Sequence, residues 1–522
     1  MLDLLIRGGV VVDGSGAPPF EADVAIDGER IAAIGPALGL DAAEVLDAKG
    51  RMVTPGFIDI HSHSDFTLLR DPRAVSAIHQ GVTLEVVGNC GHGCFPIRDP
   101  ALAAVAIYGY DEETALDWVD ADGYFKRLTA AGPAVNVASL VPHGQLRLSV
   151  LGSNERPATE AELQMMGREL EGALEQGAWG FSTGLEYAAE RGALESEVAA
   201  LCGPVARRDA LYATHTRERD QGAPAAVDEA IRVATASGVR LQISHLVPRS
   251  GSAEATACLD VVERARDSID VAFDMHTRLY GISYLKAALP ASALAGTPEA
   301  VAERLADPAV RAELRRYRSM FSVADWGTIV LLDNETWPEY ARKSIADTSS
   351  SRGQQALDTV YDLLAAAART GETLTVLRMC HTESQQREAF AHPVCMPGSD
   401  AMTLAPDGPL AAVSFHGAYT WAAWFYRFLV RESGLLSPEE AVFRLTGLPA
   451  SRLGIEDRGT LRSGAKADIA VFDSERFAET GTTFEPNQLA TGVDHVLVNG
   501  TLTLRDGQLT GRRGGTVLRR NA

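Results

Sequence analysis

Apolar and polar positions along this chain follow two textures. At both ends they alternate in short runs. Leu4-Leu5-Ile6-Arg7-Gly8-Gly9-Val10-Val11-Val12 is two apolar runs split by a glycine pair and closed by Asp13-Gly14. Ala22-Asp23-Val24-Ala25-Ile26 alternates and ends on Asp27-Gly28, a hairpin signal. Residues 467–473, 496–500 and 502–507 repeat the texture near the C-terminus. The pattern predicts that residues 1–54 and 456–522 pair into one small β-sandwich domain formed by both termini.

Between them strand-like and helix-like segments alternate, which predicts an α/β fold with a mainly parallel sheet. Eight short apolar runs stand out, at 57–60, 83–87, 135–140, 180–182, 211–214, 240–244, 269–274 and 394–398. Helical patterns at 160–176, 195–208 and 223–237 fall between them. Eight such units over 55–455 predict a TIM (β/α)8 barrel, whose active site lies at the C-terminal ends of its strands. The spacing breaks once, between the seventh and eighth runs. Residues 281–345 fit poorly as a single crossover helix and read as an inserted lid subdomain over the barrel mouth.

Composition narrows the function. The 522 residues are 46% hydrophobic and 22% charged, ordinary for a globular enzyme with one large core and an accessory domain. A formal charge of −21 argues against nucleic acid and anionic membranes as partners. The six cysteines are scattered instead of forming a framework, which points to a reducing, cytoplasmic setting. No signal peptide or membrane-spanning apolar run is read. The expected partner is a small molecule, and the composition is compatible with a homo-oligomer.

The chemistry starts at Pro55-Gly56-Phe57-Ile58-Asp59-Ile60-His61-Ser62-His63. In a strand, residues i and i+2 share a face, so His61 and His63 leave the first strand together. Two converging imidazoles suit a borderline metal such as zinc. Cys90 stands just beyond the second strand in a Gly-Asn-Cys-Gly turn, where a thiolate can bind or bridge metals. His92 and Cys94 are less well placed and read as loop residues. His215 and His245 end the fifth and sixth strands, and Asp400 follows the eighth in Pro397-Gly398-Ser399-Asp400. An aspartate there can coordinate a metal and accept a proton from water.

These residues resemble the amidohydrolase superfamily. Residues 81–91 (GVTLEVVGNCG), Gly180 to Tyr187 (GFSTGLEY), Ile243 to Leu246 (ISHL), the Gly-Ser-Asp at 398–400 and the tail from Thr446 to Asp473 narrow the likeness to the N-acyl-D-amino-acid deacylase (D-aminoacylase) family. The resemblance implies a tighter zinc site of Cys90, His215 and His245 and a weaker second site of His61, His63 and Asp400, with one zinc able to suffice. It implies that water activated by the metal attacks an amide carbonyl while Asp400 moves the proton to the leaving nitrogen. His143, in Val141-Pro142-His143-Gly144, matches a family histidine and is a second catalytic candidate.

The resemblance fails at the substrate's carboxylate. The family has Pro-Tyr after the strand-seven aspartate, where this chain has Met275-His276-Thr277-Arg278. Trp424 stands at the place of the family's clamping arginine. Tyr187, Arg278 and Trp424 are the substrate-binding candidates. Either Arg278 or Arg427 supplies a replacement cation, or the substrate has no carboxylate there. Trp421, Trp424, Phe425 and Tyr426 read either as a wall for a bulky group or as the core face of a barrel helix. The leading expectation is a zinc amidohydrolase of linear N-acyl bonds, N-acyl-D-amino acids foremost. The alternatives are a cyclic-amide hydrolase, recognised by a single ring-opened product, and a non-catalytic scaffold, against which the full ligand set speaks.

Overall fold

The apolar runs become strands whose two faces are both covered, as a parallel sheet requires. The structure, a computed structural model, describes residues 1–520 apart from 112, 250, 295, 318, 320 and 322–324. The expected stretches 281–345 and 456–522 include some residues outside those described.

The central sheet has eight parallel strands in sequential order: β1 (Phe57–Asp59), β2 (Val82–Val87), β3 (Asn136–Pro142), β4 (Gly180–Gly184), β5 (Leu211–His215), β6 (Arg240–Ile243), β7 (Val271–His276) and β8 (Cys395–Gly398). Beyond β1 and β8 a parallel bridge joins Ser62 to Ala401. There the Asp400 N–H donates to His61 O at 2.8 Å and the His63 N–H to Ala401 O at 2.9 Å. The first and last strand ends are thus sewn together.

Side chains sort by the two-residue period. Ile58, Ile60, Leu84, Val86, Ala138, Leu140, Leu211, Ala213, Ala272 and Met396 form the inner core. Val87, Val137, Phe181, Tyr212, Ile243 and Phe273 face the helices in the larger outer core. His215 continues the inner face of Leu211 and Ala213, and Asp274 that of Ala272.

Both termini do pair. Met52–Pro55 runs antiparallel to Ile469–Phe472 and parallel to Leu2–Val11, joining N- and C-terminal strands. The hydrogen bonding of this terminal domain runs through one nine-stranded sheet, branched because Ala42–Asp47 also pairs with Leu2–Val11. Its separate core includes Leu4, Ile6, Val24, Ile26, Val53, Leu497 and Leu502.

A second compact unit spans Arg278–Glu383, well beyond the expected 281–345. The reason is its sheet: Thr375–Met379 is the middle strand, antiparallel to both Tyr280–Tyr284 and Ile329–Leu331. The insertion therefore cannot end before that strand. Helices Pro298–Ala306 and Ala356–Thr370 pack on it through Val301, Leu305, Val360 and Leu364.

Candidate metal centre

Residues beyond the C-terminal ends of β1, β2, β6 and β8 converge. Cys90 Sγ lies 3.2 Å from His61 Nε2 and 3.5 Å from His245 Nε2. Asp400 Oδ1 lies 3.3 Å from His63 Nε2 and 3.6 Å from His61 Nε2. Two groups able to hold a metal result, Cys90 with His61 and His245, and His61 with His63 and Asp400. They share His61. A buried thiol with imidazoles, next to a carboxylate, is the donor chemistry of a zinc-type cation.

The backbone is bent to bring them there. Cys90, His245 and Asp400 have φ of 54°, 36° and 44°, in the left-handed region that β-carbons disfavour. Such residues cost about 1–3 kcal/mol each and persist only where the surroundings dictate them. Around the Cys90 turn the surroundings are tight. A β-carbon on Gly91 would come 1.6 Å from Glu190 Oε1, and one on Gly184 would come 2.1 Å from Cys90 O. Beneath the His61-Ser62-His63 segment, buried Glu85 accepts from Ser62 Oγ at 2.9 Å and from Thr403, which tightens the β1–β8 seam.

Charge and burial oppose one another here. Burial disfavours a charged His61, but the neighbouring Cys90 and Asp274 hold it well above the usual histidine range. Burial raises the Cys90 thiol, with His61 acting the other way. Burial, then Arg219, pushes His245 well below its ordinary value, so it is a neutral ligand in waiting.

His215 departs from the expected grouping. Its Nε2 is 2.9 Å from Glu186 Oε2 and its Nδ1 is 3.3 Å from Tyr187 Oη. Its ring lies 4.6 Å from that of His245, beside the Cys90 cluster and outside both ligand groups. Tyr187 belongs to a run of rings bordering the centre. His63 meets Tyr108 at 4.6 Å, Tyr108 meets His92 at 4.9 Å, and His92 meets Tyr187 at 4.5 Å. Burial, then His63, lowers the pKa of His92 to about 4. His92 thus lines the site after all, whereas Cys94 is wholly buried in the outer core.

Three expectations need correction. His143 is fully buried with both nitrogens engaged, Nδ1 at 2.8 Å from Glu190 and Nε2 at 3.1 Å from Glu197. A histidine held between two carboxylates has no nitrogen left for a substrate. Trp424 lies on the helix Trp421–Tyr426 and stacks on Phe428 with ring centroids 4.7 Å apart. Phe425 packs on Phe390, and Tyr426 on Phe472 and Phe477, so this aromatic cluster is barrel core. Arg427 is committed to Glu479, with Nε 2.9 Å from Oε2, and to Glu432. Arg278 is the first residue of the inserted unit.

Several contributors escape sequence reasoning. Asp274 Oδ1 is 3.0 Å from His61 Nδ1. Glu186 bonds His215 and pairs with Arg249, which also lies 3.1 Å from Asp220. Tyr108 comes from a stretch with no motif. In sequence Asp274 is legible only as the strand-seven aspartate of the resemblance, with no role attached, and Glu186 only through its place in the Gly180–Tyr187 motif.

Comparison with known proteins places the chain in a family. A model of the amidohydrolase family matches residues 44–504. The N-acyl-D-glutamate deacylase of Alcaligenes xylosoxydans xylosoxydans is 35% identical over 100% of this chain and 97% of its own. The crystal structure of a D-aminoacylase superposes with a TM-score of 0.82 at 29% identity, covering 100% of both chains. That of the Bordetella bronchiseptica N-acyl-D-glutamate deacylase, complexed with zinc and a phosphonate mimic of the tetrahedral intermediate, gives 0.81 at 32% identity over 99% of each chain. The chain belongs to the amidohydrolase family, as a metal-dependent hydrolase of carbon–nitrogen bonds other than peptide bonds.

Proposed function

We propose that this chain is a zinc-dependent, cytoplasmic deacylase that hydrolyses the linear N-acyl bond of an N-acyl-D-amino acid. The observation that carries the reading is the convergence of Cys90, His61 and His245 beside His63 and Asp400, in a chain similar over its whole length to D-amino-acid deacylases. Zinc held by these residues would supply an acidified water and a polarised carbonyl, which amide hydrolysis at neutral pH requires. The chain's own part is proton handling and placement. Asp400, on the seam between β1 and β8, accepts the proton of the attacking water and returns it to the leaving nitrogen. His61 and His63 fix Asp400 from one side. Tyr187, Tyr108 and His92 wall the approach with rings that exclude water from one flank.

The test is a screen of the zinc-loaded protein against N-acyl-D- and N-acyl-L-amino acids, simple amides and cyclic amides. Release of free acid and free amine from the D series is the expected result. A single ring-opened product, or no turnover with a full complement of metal, overturns the reading.

A further inference from the structure

The strand register places Glu186 against His215. Gly184 of β4 is the direct partner of His215 at the end of β5, and the Leu185 N–H donates to His215 O at 3.1 Å. One residue further on, Glu186 turns its carboxylate back to the ring, with Oε2 at 2.9 Å from Nε2. The other oxygen, Oε1, takes Arg249, and Arg249 lies 3.1 Å from Asp220. Arg249 is nearly buried, its side chain 9% exposed, while that of Glu186 is 26% exposed. The result is a chain of contacts, Asp220–Arg249–Glu186–His215, that ends on one nitrogen of one imidazole.

We propose that Glu186 is a positioning residue that makes His215 an Nδ1 metal donor. In a neutral imidazole one nitrogen carries the proton and the other the lone pair, and the hydrogen bond made by the first decides which. A carboxylate at Nε2 keeps the proton there, so the lone pair resides on Nδ1. Tyr187 Oη, 3.3 Å from Nδ1, marks where that lone pair points. Arg249 holds Glu186 so that this preference does not depend on a mobile carboxylate. Nδ1 of His215 faces Tyr187, and the residue stands beside the two ligand groups. Carboxylates behind ligating histidines fix tautomer and ring orientation and raise ligand basicity. The inference rests on the metal-dependent function proposed above.

The experiment uses the full chain, stripped of metal and titrated with Co²⁺ against a chelator, with absorption spectra recorded. Wild type should bind Co²⁺ with a thiolate charge-transfer band. Glu186→Ala should weaken Co²⁺ binding by roughly 10–100-fold and alter the d–d bands while keeping the thiolate band, whereas Glu186→Gln, whose amide oxygen still accepts the Nε2–H, should stay within about threefold. Failure of wild type to bind metal overturns the proposed function and this inference together. Wild-type binding matched by Glu186→Ala overturns this inference alone, as does an equal loss in Ala and Gln variants. Should Glu186→Ala not fold, ring ¹⁵N shifts of His215 in metal-free wild type decide, assigned by comparison with His215→Asn. A protonated Nε2 and bare Nδ1 are expected, and the opposite tautomer overturns the proposal.

Discussion

Asp274 Oδ1 lies 3.0 Å from His61 Nδ1 and also accepts the backbone N–H of His245 at 2.9 Å. One carboxylate oxygen on β7 thus steadies a side chain that follows β1 and a strained backbone that follows β6. Gln242 Nε2 holds its other oxygen at 3.0 Å. Asp274→Ala should therefore lower metal affinity by roughly 10–100-fold without removing a ligand, read by chelator competition. Unchanged affinity would mean that Asp274 supports only the fold.

Cys90 is the one soft donor in the centre. Cys90→Ala removes it and should empty the site it forms with His61 and His245, with loss of most bound zinc and nearly all turnover. Elemental analysis of the purified variant checks the first and a deacylation assay the second. A variant with wild-type metal content and rate would remove Cys90 from the ligand set.

Asp400 is assigned the proton transfer. Asp400→Asn keeps an oxygen for a metal but loses the base. Loss of one general acid–base group costs roughly 10² to 10⁴ in kcat, about 3 to 5 kcal/mol. Zinc held through Cys90 should remain. A rate within about threefold of wild type, far short of that range, would place the base elsewhere.

His143 gives a pH prediction of the opposite kind, in stability. Burial works against its charge, but Glu190 and Glu197 raise its pKa above the ordinary histidine value. The folded chain therefore keeps a proton that the unfolded chain loses near pH 6.5, at about the reference value. This contribution is full below that pH and is lost as pH rises through the raised folded value. The stability deficit of His143→Gln should be largest near pH 6, at about the unfolded value, and narrow in alkali, as urea unfolding of the metal-free protein will show. The acid limb of the kcat profile should not move. A deficit that grows with pH contradicts the assignment.

Trp424 should matter for stability more than for substrate. Trp424→Ala removes its stack on Phe428 and should cost up to about 3 kcal/mol, with KM for an N-acyl-D-amino acid little changed. Thermal unfolding and a KM series separate the two. A sharp rise in KM at unchanged stability would return Trp424 to the substrate pocket.

The sequence by itself determined the barrel and most of its centre. Fully buried parallel strands must be short, continuous apolar runs, so all eight were legible within two residues at most ends. Candidate ligands at strand ends are legible for the same reason, because the period of two and the barrel's polarity put His61, His63, His215, His245 and Asp400 at one mouth, with Cys90 added by the family resemblance. What needed tertiary structure were relations between strands. Which imidazole shares a site with Cys90 depends on where Glu186 and Asp274 hold the rings of His215 and His61, and hydrogen bonds across strands leave no periodicity in the chain. Both uses of an aromatic helix face, core or pocket, read alike in sequence, and packing on Phe390, Phe428 and Phe472 decided for core. His143 likewise looks the same as a proton carrier or as the filling of a buried carboxylate pair. Only the positions of Glu190 and Glu197, far along the chain from it, decide which, because burial of charge is settled by neighbours in space.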